Sequence, residues 1–555
     1  MSDKEHIWIP RLKQQLADKQ ISRREFIRYS TLLGMSAGAA YFWAGKISGQ
    51  PFAPPARADE MPKGGVLKVA MRVPKLDNPA VFSWVYDSNC VRQTNGYLTR
   101  TGVDNVTRPA LASKWEASPD LKTWTFTMAD INWHDGRPFT AEDAAWNIKH
   151  CLDEATGSSV LGLMKGYILK EVDTGKKDDK GNAVMTTELW DASAIQVKDP
   201  KTLVLNLKEP QVAVPEHFFH YPFLMLDPKE NGKWGIGSNG TGAFKPVEIE
   251  VGRIAKFEAI PGRGAYLDGI EFIDLGDNPS AQVAALQSRQ VHGLYEANIE
   301  QLELFQAMDF ATRYDAQSAD TAVARMQPVK PFDDPKVRKA MRLATDPAKT
   351  LEIAHRGIGT VGEHHHVSPI HPDYKKLTPM TQNIEEAKKL LADAGYPNGI
   401  DIEIFGKSDP TWEGAAIEAM VEQWKDAGIR AKINILPSAK YWDVWTTVPL
   451  GFTSWVHRPL GFMVLALAYR TGVPWNESKY SNKQFDETLT KAEGTLDVAA
   501  RAELIGQLET IMQEDGPIVQ PLWRSMFTYY DKNVMGFKMH PTRYIFCEEL
   551  ALKPA

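Results

Sequence analysis

Trp133-His134-Asp135-Gly136-Arg137-Pro138-Phe139-Thr140-Ala141-Glu142-Asp143 is the stretch from which the fold can be read. Its first four residues have turn chemistry. Thr140, with an acidic residue three positions on, reads as a helix N-cap with its reciprocal partner. Just upstream, Trp124-Thr125-Phe126-Thr127-Met128 alternates apolar and polar residues as a half-buried strand does. The local unit is therefore strand, turn, helix. His134 and Asp135 invite a catalytic reading, but neighbours at such a turn point in different directions. No nucleophile stands nearby in sequence, so the pair reads as turn and capping chemistry.

Working outward, Gly64-Gly65 precedes Val66-Leu67-Lys68-Val69-Ala70-Met71, an apolar run suited to a buried strand. Residues 192–207 have strand character interrupted by Asp199-Pro200, and the polar run 171–188 reads as a solvated loop or hairpin tip. The second half alternates more regularly. Asp334-Pro335 opens a helix with Val337, Ala340, Met341 and Ala344 at helical spacing. Asn383 caps another with Glu386 at N3 and Leu390, Leu391 and Ala394 on one face; Gly395 and Pro397 stop it. A strand over 400–405, a helix around 415–426 and a strand over 429–436 follow. This order predicts an α/β lobe with partly parallel strands. The chain reads as two α/β lobes, whose natural ligand site is the cleft between them.

A length of 555 residues requires two or three structural units, and 43% hydrophobic with 24% charged residues is an ordinary globular balance. A net charge of -6, with no basic stripe beyond the first sixty residues, gives no footprint for nucleic acid. The 16 Trp and 17 Tyr supply broad amphipathic rings suited to core and to a roomy wet cavity. Cys90, Cys151 and Cys547 fit no zinc or redox spacing; one disulfide is possible and the odd count leaves a free thiol.

The N-terminus reads as an address. Arg23-Arg24 precedes Phe26-Ile27, a modestly apolar stretch from Thr31 to Trp43 follows, and Ala56-Arg57-Ala58 fits a signal-peptidase site. The pattern resembles a twin-arginine (Tat) signal, with the Tat translocase as a partner during export to the periplasm. The apolar stretch is too short to span a bilayer.

The 133–143 stretch also resembles the signature of family 5 extracellular solute-binding proteins, the peptide, nickel and opine receptors. Four more segments fit that family in order: Pro109 to Glu116, Gly240 to Lys245, Pro331 to Ala340, and Glu386 to Tyr396. The resemblance implies a periplasmic-binding-protein-like α/β fold of the cluster C type, with an enlarged lobe I and two hinge crossings. The crossings are expected near Arg313–Arg325 and Pro521–Arg524. Residues 1–58 would be the signal, 59–318 the first part of lobe I, 319–522 lobe II, and 523–555 the returning segment of lobe I. The implied function is that of the periplasmic substrate-binding component of an ABC importer. Such a protein is a monomer without catalysis or cofactor that hands a small ligand to a membrane permease.

In peptide-binding relatives an acidic residue ahead of a lobe II helix pairs with the peptide's amino group. The matching segment here, residues 451–462, contains no Asp or Glu and offers His457-Arg458-Pro459 instead. A buried ammonium without a carboxylate costs several kcal/mol, so the ligand is expected to be anionic or blocked at its amino end. Arg458 either forks onto a ligand carboxylate or phosphate or is a surface residue held extended by Pro459. Trp455 and Trp475 are candidate cavity walls. By alignment with the family, Asn89, Cys90, Arg325 and Met326 are further candidate contacts. The run Glu363-His364-His365-His366 leaves open a nickel-chelate receptor or a metallohydrolase, with His364 and His366 as ligands. Pro369 and Pro372 and the absence of HExxH spacing favour a loop of solvated imidazoles.

Overall fold

A computed structural model describes residues 5–49, 61–177, 181 and 183–554. The signature stretch folds as its residues dictate. Thr123–Met128 is a strand with alternate residues buried, and Thr140 caps the Ala141–Leu152 helix reciprocally with Asp143. Trp133 is buried and its indole N–H donates to Asp143 Oδ2 at 3.2 Å. His134 Nε2 bonds Gly242 O at 2.9 Å while Asp135 pairs with Arg137 at 2.7 Å, so the two point apart. Gly240 and Gly242 are required here, because a Cβ would lie 2.1 Å from Thr94 O and 2.6 Å from Gln93 O respectively.

A 12-stranded sheet runs through the molecule. At one end Val66–Ala70 pairs in parallel with Gly269–Ile273 and with Gly293–Leu294. At the other, Ile400–Lys407 pairs in parallel with Ile429–Leu436 and with Leu450–Trp455. Two long antiparallel strands, Ala311–Met326 and Leu522–Asp531, join the ends, with a register shift between Ala316 and Asp320. They overlap the two stretches, Arg313–Arg325 and Pro521–Arg524, where the crossings were expected. A separate four-stranded sheet carries Thr123–Met128 together with Ala112–Ala117, Thr202–Asn206 and Ile195–Asp199. The 169–189 region is an exposed hairpin of Leu169–Lys177 and Ala183–Leu189.

Asp334, Asn383 and Thr140 cap their helices through the side chain as anticipated. Cys90, Cys151 and Cys547 are all free and buried, so no disulfide joins them. Two expectations change. His364, His365 and His366 are buried rather than solvated. The Gln520 side-chain oxygen accepts the His364 N–H, and rings of Trp523, Trp455 and Tyr469 cover His365 and His366. The N-terminal apolar stretch is not continuous. It is split between the helices Arg23–Leu32 and Ala37–Ser48, with Gly34 at φ +94° between them. Ala56-Arg57-Ala58 lies outside the described residues. No helix of the described residues is long and apolar enough to cross a membrane.

Candidate ligand-binding cleft

The strand Leu450–Trp455 runs beside the first crossing strand, pairing Thr321 with Trp455 and Arg325 with Gly451. Gly451 has no side chain because the Arg325 guanidinium occupies that space, 3.0 Å from where a Cβ would sit. Arg325 is spent on Glu477 (2.7 Å) and Val448 O (2.6 Å). The same carboxylate accepts from the Trp455 indole (3.0 Å) and the Thr453 hydroxyl (2.7 Å). Glu477 is therefore a hub that holds Trp455 in place and is engaged by three of the protein's own donors.

The chain leaves this strand through Val456-His457-Arg458-Pro459. His457 uses both ring nitrogens structurally: Nδ1 accepts from Ala319 N at 3.2 Å and Nε2 lies 3.0 Å from Asn105 Oδ1. Burial first, then the charges of His371, His540 and the nearby arginines, push its pKa well below the usual histidine value, so it is neutral.

Arg458 differs from every other arginine in this region. It is only 4% exposed, which removes the surface reading. Its Nη1 donates to Val456 O (3.2 Å) and His457 O (3.1 Å), while Nε and Nη2 have no hydrogen-bond partner among the described residues. The guanidinium lies 5.0 Å from the Tyr221 ring centre. It lines a small cavity with Glu216, His220, Thr542 and Tyr544. The cavity measures about 10 Å³, enough for roughly one water. Glu216 lines the same cavity but forms no ion pair with Arg458; its two carboxylate oxygens accept from the Thr101 and Thr107 hydroxyls. Burial raises the Glu216 pKa, and those two hydroxyls oppose the shift.

From this cavity a string of rings leads to a second one. Tyr221 lies 5.6 Å from Trp475, Trp475 6.2 Å from Trp445, Trp445 5.5 Å from Trp442, and Trp442 5.3 Å from Trp84. Trp475 also packs edge-on against Trp455 at 5.9 Å. The second cavity, about 70 Å³, is walled by Arg72, Trp84, Tyr295, Lys407, Trp442 and Arg543. Arg72 crosses the cleft there, 3.2 Å from Asp274 on one side and 3.2 Å from Asp409 on the other.

The structure thus brings together Trp455, Trp475, His457 and Arg458, and sets the other four candidates apart. Asn89 donates to Arg543 O (2.9 Å) and accepts from Ile545 N (3.1 Å), so its amide fastens the returning C-terminal segment. Cys90 is buried beside it and Met326 lies in the core at the end of the crossing strand. Arg325 faces Glu477, not a cavity. His364 Nδ1 accepts from Gln520 N at 3.2 Å, and burial lowers the pKa of both His364 and His366 to about 3. Among the described residues no group of three or more His, Cys, Asp or Glu side chains is arranged to hold a metal. Tyr221, Trp84, Trp442, Glu477 and Thr542 escaped the sequence reading. Only the high Trp and Tyr count hinted at them.

The model of bacterial extracellular solute-binding proteins, family 5 Middle, matches residues 106–476. The chain belongs to this family. Its members are the ligand-capturing components of ABC importers, and that is the function of this solute-binding protein. It is 24% identical over 497 residues to the dipeptide-binding protein DppE of Bacillus subtilis, covering 81% of this chain and 84% of that protein. Two solved structures share its fold. AgaA of A. tumefaciens R10, in complex with agropinic acid, has a TM-score of 0.77 at 20% identity, covering 89% of this chain and 99% of AgaA. NikZ of Campylobacter jejuni, in complex with Ni(L-His), has a TM-score of 0.73 at 19% identity, covering 88% and 99%. These relatives are binding proteins, not enzymes.

Proposed function

We propose that this solute-binding protein captures a small anionic solute, bearing a carboxylate or phosphate, and that Arg458 anchors the anion in the cleft. The observation that carries the reading is a buried guanidinium with two of its three nitrogens unpartnered. Leaving such a charge unpaired costs several kcal/mol, which a ligand oxygen pair recovers by forked, charge-assisted bonds. The engagement of Glu477 and Glu216 by the protein's own donors supports the same polarity. Trp475 backs the site from behind the lining His220, 5.5 Å away, and packs on Trp455 at 5.9 Å; residues 59–318 with 523–555 form one lobe and 319–522 the other. The relative bound to agropinic acid is a precedent for an acidic small-molecule ligand on this fold.

Native mass spectrometry of the purified protein identifies the ligand that travels with it. Calorimetric titration with that ligand should then show Arg458→Ala weakened by about 2–5 kcal/mol and Arg458→Lys by less. A ligand without an anionic group, or equal affinities in the three proteins, removes Arg458 from the site.

Delivery to the periplasm is assigned to the twin-arginine route, on Arg23-Arg24 ahead of a weakly apolar stretch. Replacing both with Lys should leave precursor inside the cell, with the mature chain of the wild type beginning at Asp59. Normal export of the double variant would reject the route.

A further inference from the structure

Residues 5–49 do not trail away from the body. They fold into the helices Ile9–Ala17, Arg23–Leu32 and Ala37–Ser48, and Phe26, Ile27, Tyr29 and Leu32 are buried in the main hydrophobic core. Their polar contacts reach segments on both sides of the cleft. On one side the Trp115 indole N–H donates to Leu32 O at 3.0 Å and the Tyr41 hydroxyl donates to Asp104 at 2.5 Å. On the other, the Tyr29 hydroxyl donates to Asp373 Oδ1 at 2.6 Å. Arg501 holds the same carboxylate at 2.8 Å and lies 4.2 Å over the Tyr29 ring. Arg28 Nη1 donates to Pro459 O at 3.0 Å, one residue beyond Arg458. The groove beneath this helix is walled by Asp104 and Asn105, by Asp315 and Gln317 of the first crossing strand, and by Pro369 and His371.

A segment that bonds both sides at once stabilises whichever arrangement keeps them close, because its contacts form together only there. We infer that residues 5–49 are an intramolecular strap, which holds the two lobes closed over the Arg458 cavity until it is displaced or removed. The inference rests on the two-lobe division above. The cavity agrees with it: about 10 Å³ admits no solute larger than water. Arg28 reaches the very loop that presents Arg458. A chain that folds with this segment attached would stay unloaded in the compartment where it is made, and would take ligand after the segment is gone.

The test needs no ligand, so it stands or falls separately from the anion reading. Small-angle scattering and hydrogen exchange are compared between the full chain and an Arg28→Ala/Tyr29→Phe double variant of the full chain. The variant should have the larger radius of gyration. Amide exchange across Leu450–Trp455 should be about tenfold faster, the factor expected when closing contacts of one or two hydrogen bonds are lost. If the double variant loses its cooperative melt, Tyr29→Phe alone is read, since it keeps the ring packed and removes only the bond to Asp373. A radius and exchange rate equal to wild type in the variant that folds overturn the strap.

Discussion

Glu509 is buried to 0% exposure on the Val498–Glu514 helix, with no cation paired to its carboxylate among the described residues. Burial is the largest cause of its altered acidity. A backbone bond from Lys375 opposes the shift, the Glu363 charge adds to it, and the result is a pKa of about 9 against an ordinary 4.5. In the folded chain this group keeps a proton that the unfolded chain releases. Its contribution is therefore complete below about pH 4.5 and is lost as pH rises toward 9. Glu509→Gln should raise stability by about 1–3 kcal/mol near pH 8 and change little near pH 4.5. Denaturant melts at the two values check it, and an equal effect at both would place Glu509 in contact with water. Nothing in the sequence separates Glu509 from its solvated neighbours of the same type.

At the scale of the element, the two crossing strands are tied by four charges. Asp320 on the first accepts from Arg524 Nε on the second at 2.6 Å and from Arg543 Nη2 at 2.7 Å, and Glu296 pairs with both arginines. Burial alone would raise the Glu296 pKa, yet the two guanidiniums hold it at about 2. Asp320→Asn leaves two buried guanidiniums facing one carboxylate. It should cost about 3–5 kcal/mol in urea unfolding, and a cost below about 1 kcal/mol would mean that water reaches the network. Strands do overlap 313–325 and 521–524, where the crossings were expected. Their ionic clasp was not legible in the sequence, because Asp320 and Arg543 are 223 residues apart.

For the whole molecule, acid should be the sensitive direction. His217, His364, His366 and His540 titrate at about 3, and His355 and His371 at about 4, with burial the leading cause in each. The unfolded chain binds protons at these sites from about pH 6.5 downward while the folded chain refuses them. Stability therefore rises with pH across that window and falls on acidification, by up to about 1.4 kcal/mol per pH unit for each histidine. Thermal melts should drop steeply between about pH 6.5 and 4, with Glu509 alone adding an opposite slope from about pH 4.5 to 9. A flat melt across the acid window would mean that the imidazoles are hydrated in solution.

The sequence by itself determined what short-range rules govern. The caps at Thr140, Asp334 and Asn383, the alternating strand at 123–128, the parallel α/β unit at 400–436 and five ordered motifs led to the fold and to the solute-binding family. It also exposed the missing acidic residue at 457–459. Only the tertiary structure decided which charges are paired and which rings are buried. Arg325 and Arg458 look alike in sequence, yet one meets Glu477, 152 residues away, and the other meets no carboxylate. Asn89 serves the C-terminal segment because the chain returns to it across 454 residues. The run at 363–366 reads as a polar loop until Gln520, Trp455 and Trp523 close over it. Periodicity and capping act over three or four residues, whereas desolvation and ion pairing depend on the neighbours that the fold brings together.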